Sequence, residues 1–195
     1  MDCLDNNKTP LSRGVFLFKT IQLKIFLPHI IYTFAQKNMT IKIGQPAPEF
    51  TLLDTDKNKV SLSDFKGKNV LILFFPQAFT GVCTKELCAV RDDIGRYSNI
   101  NAQVLGLSVD SVFTLGKYKE EQQYNFPLLS DFNKEVSAAY DSLYAEWILG
   151  MKGVSKRSAF IIDKEGNVCH AEVLENAGDM PDFKAINEKL DSLNG

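Results

Sequence analysis

A mixed α/β fold, with a central sheet flanked by helices, follows from three observations on this 195-residue chain. Strand and helix signals alternate from Ile43 onward. The segment VLILFF (Val70–Phe75) is apolar without interruption, as in a strand covered on both faces. The order βαβαβ is then followed by a hairpin and a terminal helix, which mixes parallel with antiparallel pairing and puts helices on both faces.

Each element has its own signal. FTLLD (Phe50–Asp54) is a short strand, followed by the turn TDKNK and the polar approach VSLSDFKGK ending near Gly67. After Val70–Phe75, the residues from Thr84 to about Asn99 read as a helix, with Leu87, Val90, Ile94 and Tyr97 spaced by three and four. QVLGLSVD (Gln103–Asp110) is a second buried strand, and Phe113 to about Tyr124 a second helix. FPLLSD is a short extended segment, and Asn133–Tyr140 a short helix. SAFIID (Ser158–Asp163) and NVCHAEVL (Asn167–Leu174) form a hairpin across KEG, whose Gly166 suits a positive φ. Pro181 introduces a final helix, Asp182–Leu193.

Composition narrows the function. The chain is 45% hydrophobic and 24% charged with 14 Phe, enough for a full core in one domain. A net charge of -2 argues against nucleic-acid binding. Four cysteines (Cys3, Cys83, Cys88, Cys169) are too few and too scattered for a disulfide-stapled scaffold, so a reducing, cytoplasmic setting is expected. With His29 and His170 the only histidines and no zinc-finger spacing, neither a metal nor another cofactor is expected. Residues 1–38 differ from the rest: Lys8, Arg13, Lys19, Lys24 and Lys37 face only Asp2 and Asp5. Their apolar stretch is broken by Lys19, Lys24 and Pro28, short of the ~20 residues that span a bilayer, and it makes a poor signal peptide. They are expected to be an N-terminal extension, disordered or upstream of the native start at Met39, with residues 39–195 forming the domain.

The chemistry centres on Cys83, which follows a buried strand by a short loop and stands at a helix start. Free N–H groups and the helix dipole favour a thiolate there. A helix terminus contributes about 0.3–1 and at best about 2 kcal/mol, so a fixed cation or further hydrogen bonds must help. Arg157, just ahead of SAFIID, is the candidate cation, and Thr80 the candidate hydroxyl. Pro76 closes the strand and has no N–H to satisfy. A thiolate, a hydroxyl, a guanidinium and free amides suit a small substrate with two adjacent oxygens, one attacked and the other stabilised as it leaves.

Pro76-Gln77-Ala78-Phe79-Thr80-Gly81-Val82-Cys83 resembles the peroxiredoxin signature: proline, three residues, threonine, two residues, cysteine. The resemblance runs from about Met39 to the C-terminus and also covers GQPAPEFTLLD, VSLSDFKGK and KRSAFIIDKEGNV. FFPQAFTGVC with FPLLSD is most similar to the alkyl hydroperoxide reductase E–type branch. The second cysteine of CTKELC is similar to that of the bacterioferritin comigratory protein branch. The resemblance implies a thioredoxin-like fold and a hydroperoxide substrate, with Cys83 peroxidatic, Thr80 and Arg157 activating the peroxide, and Pro76 shielding the thiol. Glu86 matches a glutamate that orients the arginine, although a glutamate in a first helical turn is also favoured by the dipole alone. A homodimer and a thioredoxin-type reductant are implied too, with no membrane or nucleic-acid partner.

Two readings stand for Cys88. It can resolve the Cys83 sulfenic acid as a disulfide, or be a small core residue in a one-cysteine peroxidase recycled by an external thiol. In a regular helix five residues give about 140° of rotation and a rise of about 7.5 Å. The Cα atoms then lie roughly 8–9 Å apart, beyond disulfide reach, so the first turn must unwind. A disulfide reductase would need C-x-x-C, and Thr80 stands where its first cysteine would be. A redox sensor that passes oxidation to a partner protein is the non-enzymatic rival. Cys169 reads as a plain strand residue. Tyr140, Tyr144 and Trp147 read as cover for the core or a subunit contact.

Overall fold

The computed structural model describes residues 41–194. The extension expected over 1–38 lies outside the described residues. The first strand, β1 (Thr51–Asp54), turns into β2 (Lys59–Ser61) around the Asp54 carboxylate, which accepts from the Asp56 and Asn58 amides at 2.8 Å. The central strand β3 (Asn69–Phe74) follows, then helices α1 (Gly81–Asp92) and α2 (Ile94–Asn99), and strand β4 (Ala102–Ser108). Helix α3 (Val112–Gln122), strand β5 (Leu128–Ser130) and helix α4 (Glu135–Ala139) come next. Two-residue strands β6 (Leu143–Tyr144) and β7 (Val154–Ser155) precede the hairpin of β8 (Ser158–Ile162) and β9 (Val168–Val173), and α5 (Phe183–Ser192) ends the fold.

Seven strands form one sheet in the order β2-β1-β5-β4-β3-β8-β9. Pairs β3–β4 and β4–β5 are parallel; β3–β8, β8–β9, β1–β5 and β1–β2 are antiparallel. The sheet is therefore mixed, as expected. Every residue of β3 is buried, and from Val70 on its sequence is apolar without a break; each such apolar side chain contributes about 1.5–3 kcal/mol relative to exposure. Gly106 of β4 is closely packed: a Cβ there would meet Leu128 Cδ2 at 2.7 Å, and the buried Leu128 side chain would have to shift.

The helices are unevenly shared. Crossovers β3-α1-β4 and β4-α3-β5 progress in the same direction across the sheet, so right-handed connection puts both helices on one face. One buried cluster accordingly unites Cys83 and Leu87 of α1, Tyr97 of α2, Leu115 and Tyr118 of α3, and Ile186 and Leu190 of α5. The other face carries Val136 of α4, Tyr140 just after it, and Leu62 of the 3-10 turn Leu62–Phe65. Two expectations need correction. The helix expected from Thr84 begins three residues earlier, at Gly81, because Thr80 takes the extended N-cap conformation. It also breaks at Asp93 (φ −105, ψ 16) and does not run unbroken to Asn99.

Candidate active site

Strand β3 ends against Pro76, which is buried, and the chain turns through Gln77–Thr80 into α1. This loop is held by its neighbours. The Ala78 amide donates to Asp110 Oδ2 at 2.8 Å, and Ser108 Oγ donates to the same oxygen at 2.7 Å. Phe79 adopts φ +62, a left-handed conformation that costs a non-glycine residue about 1–3 kcal/mol. Its ring packs 4.8 Å from that of Tyr118. The Thr80 hydroxyl donates to Gln77 O at 2.8 Å and makes no cap bond to the helix. The first-turn amides are thus not capped by it, and its oxygen keeps lone pairs for an incoming donor.

Cys83 is the third residue of α1 and 1% exposed. Its sulfur accepts from Arg157 Nη2 at 3.3 Å. Arg157, itself 1% exposed, reaches the site from the residue before β8, opposite the end of β3, through the antiparallel pairing of Phe74 with Ser158. Arg157 Nη1 forms an ion pair with Glu86 Oε2. Arg157 therefore joins Cys83 and Glu86, and Thr80 lines the cleft beside it. Burial pushes the Glu86 carboxyl up to about 7; the charge and hydrogen bond of Arg157 pull it down, and nearby Glu172 pushes it up.

Above these residues opens a cleft of about 630 Å³, bounded by Thr80–Val82, Arg157, Tyr144, Trp147, Ile148 and the segment Glu175–Gly178. Tyr144 and Trp147 stack 6.5 Å apart at 14°. Both belong to this wall, whereas Tyr140 is core, its hydroxyl donating to Pro48 O at 2.9 Å. Ala177, which no motif marked, accepts from Arg157 Nε at 3.2 Å and Nη2 at 2.9 Å through its carbonyl oxygen. A backbone acceptor leaves no residue-type signature; the only available signal was the turn composition of ENAGD.

Cys88 lies on the same continuous helix, with its sulfur near Gln122 Oε1 (3.8 Å) and the Tyr124 hydroxyl (4.0 Å). Both thiols are free. The first turn is tied down: Thr84 Oγ1 donates to Thr80 O at 2.9 Å and lies 2.9 Å from the Tyr118 hydroxyl. Cys169 sits at the bulge of β9, donates to Ile161 O at 3.3 Å, and is pushed up to about 11 by burial, as for an inert strand thiol. No helix among the described residues is long and apolar enough to cross a membrane.

Cys83 is thus a buried thiol beside a guanidinium, and Thr80 stands where a C-x-x-C pair would have its first cysteine. Residues 43–171 match the model of the AhpC/TSA family, and the chain belongs to that family. It is 37% identical over 131 residues to peroxiredoxin Bcp of Bacillus subtilis, covering 67% of this chain and 83% of that protein. It is 34% identical over 156 residues to alkyl hydroperoxide reductase E of Mycobacterium bovis, covering 78% and 98%. Among solved structures, peroxidoxin BcpB from Mycobacterium tuberculosis matches with a TM-score of 0.71 and 28% identity, over 80% of this chain and 99% of that one. The fold is thus the thioredoxin-like fold of peroxiredoxins, and the enzyme is a thiol-dependent peroxidase.

Proposed function

We propose that Cys83 is the peroxidatic nucleophile, and the observation that carries this is the Arg157 guanidinium 3.3 Å from its buried sulfur. The guanidinium is placed to pair with the sulfur in the form that attacks, the thiolate. The Cys83 thiolate attacks the outer oxygen of a hydroperoxide. An S–O bond forms, the O–O bond breaks, and the leaving alkoxide or hydroxide takes a proton to become alcohol or water, leaving a sulfenic acid. First-turn amides and the guanidinium stabilise the charge that develops on the leaving oxygen. The Thr80 oxygen orients the hydroperoxide by accepting its O–H, and Pro76 backs the pocket without a competing donor.

Cys88 then attacks the sulfenic acid, releasing water and forming a Cys83–Cys88 disulfide, after Thr84 and the first turn of α1 let go. A thioredoxin-like dithiol protein reduces that disulfide and becomes oxidised itself. A second reading has support in the geometry. Because the Cys88 sulfur faces Gln122 and Tyr124, an external thiol can reduce the sulfenic acid directly. We also propose a homodimer, a cytoplasmic location, and residues 1–38 as an extension outside the catalytic domain.

Intact mass after one equivalent of hydrogen peroxide separates the two recycling routes. The two-cysteine cycle predicts loss of two hydrogens and a mapped Cys83–Cys88 bond. A lasting gain of one oxygen on Cys83, with Cys88 free, refutes resolution by Cys88 and leaves the one-cysteine route.

A further inference from the structure

Arg157 is the bulkiest fully buried side chain among the described residues, and its donors are divided unevenly. One nitrogen serves Glu86 and one is shared with the Cys83 sulfur, yet two of the three donate to a single backbone oxygen, that of Ala177. That carbonyl is presented by a self-bonded turn at the cleft rim. Asn176 Oδ1 accepts from the Gly178 amide at 3.0 Å, Asn176 Nδ2 donates to Asp179 Oδ1 at 3.1 Å, and the Asp179 amide donates to Asn176 O at 3.1 Å. These bonds bracket Ala177 on both sides. Just before the turn, the Tyr144 hydroxyl donates to Leu174 O and Glu175 O at 3.3 and 3.2 Å. Gly178 fits the same design, since a Cβ there would stand 3.2 Å from Asn176 Oδ1.

We propose that the Asn176–Asp179 turn positions Arg157 for the reaction, with Asn176 and Asp179 as positioning residues that hold the Ala177 carbonyl against the guanidinium. This rests on the reading of Cys83 and Arg157 given above. The choice of a carbonyl has a physical reason. A guanidinium must be oriented so that one N–H meets the sulfur, but a second carboxylate would cancel the charge that the thiolate needs. A neutral acceptor taking Nε and Nη2 fixes the plane of the fork and leaves its charge for the sulfur. Glu86 alone is a poor clamp near neutral pH, where its own charge varies.

The test is the second-order rate of Cys83 oxidation by hydrogen peroxide, followed against pH by stopped flow, in Asn176→Ala and Asp179→Ala. Asn176 and Asp179 are exposed and make no hydrogen bond to the Cys83 sulfur or to Arg157 among the described residues, so the fold is expected to persist; circular dichroism and melting are recorded in parallel. The expected result is oxidation slowed about tenfold, the scale of one lost hydrogen bond of positioning. The pH profile is expected to move upward, and Asn176→Ser, whose hydroxyl can accept from the Gly178 amide without adding charge, to recover part of the rate. Rates within about twofold of wild type in folded Asn176→Ala and Asp179→Ala overturn the proposal. So does a slow Asn176→Ala with an unmoved pH profile and no recovery in Asn176→Ser. If Asn176→Ala does not fold, Gly178→Ala makes the same test by crowding Asn176. Cys83→Ser is the control that separates failures: full activity in it refutes the site itself, whereas an inactive Cys83→Ser beside wild-type rates in the turn variants refutes only the positioning role.

Discussion

The two thiols of α1 sit five residues apart on one helix and live in opposite surroundings. Cys83 is sealed at the helix start with a guanidinium on its sulfur, while Cys88 is half-buried further along, beside the neutral Gln122 and Tyr124. Residue type is the same, so position in the helix and one partner reaching across the sheet make the difference. One helix thus carries a thiol with a guanidinium on its sulfur and another whose sulfur faces only weak neutral partners. Arg157 lies directly on the Cys83 sulfur, whereas the guanidinium near Cys88, that of Arg91, is engaged by Asp92 and the Gln122 carbonyl. Four experiments can break or sharpen that contrast.

The largest effect is expected on swapping the cysteines in turn. Cys83→Ser should remove peroxide consumption by several orders of magnitude, whereas Cys88→Ser should leave the first oxidation step nearly unchanged and abolish only the intramolecular disulfide. Comparable losses in both would erase the distinction. Arg157→Lys comes next, with oxidation of Cys83 slowed by roughly 10² because a point charge cannot serve sulfur, Glu86 and Ala177 together. A near-wild-type rate would show that fork geometry is irrelevant and charge suffices.

Glu86→Gln probes the pair that supports the charged end. Burial raises the carboxyl from 4.5 to about 7 in the folded chain. The folded state therefore holds the proton more tightly than the unfolded one, and the associated stability is fully present below about 4.5 and lost as pH rises through about 7. Wild type minus Glu86→Gln, measured by denaturant unfolding, should fall by on the order of 3 kcal/mol across that window. A pH-independent difference contradicts the raised carboxyl. The smallest effect is expected for Tyr118→Phe, which removes the hydroxyl beside Thr84 and loosens the first turn. At about 1 kcal/mol for the bond, disulfide formation should quicken by roughly fivefold while the peroxide step is unchanged. A slower disulfide step would mean that the tie assembles the reacting geometry and does not restrain it.

What the sequence showed and what it hid divide along physical lines. Val70–Phe75 and Ala159–Ile162 within Ser158–Asp163 were legible because strands covered on both faces are mostly apolar, and the structure buries β3 and β8 completely. Cys83, Thr80, Pro76 and Arg157 were singled out by residue type together with the family resemblance of their signature, and the structure brings Arg157 onto the Cys83 sulfur from 74 residues away. The two-residue strands β6 and β7 were not read, because pairing so short is imposed by the surrounding tertiary structure and leaves no alternation in the sequence. Glu86 was ambiguous for a different reason. A glutamate in a first helical turn is favoured by the dipole whether or not it has a partner, and only the fold shows that it faces Arg157 with its other oxygen unpaired among the described residues. Ala177 was invisible because the working atom is a carbonyl oxygen, which every residue carries.

The most direct measurement is to treat Cys88→Ser with one equivalent of hydrogen peroxide in the presence of a sulfenic-acid trap and to map the adduct by peptide mass. The account predicts one adduct, at Cys83. An adduct at Cys169, or oxidation spread evenly over the remaining thiols, contradicts it.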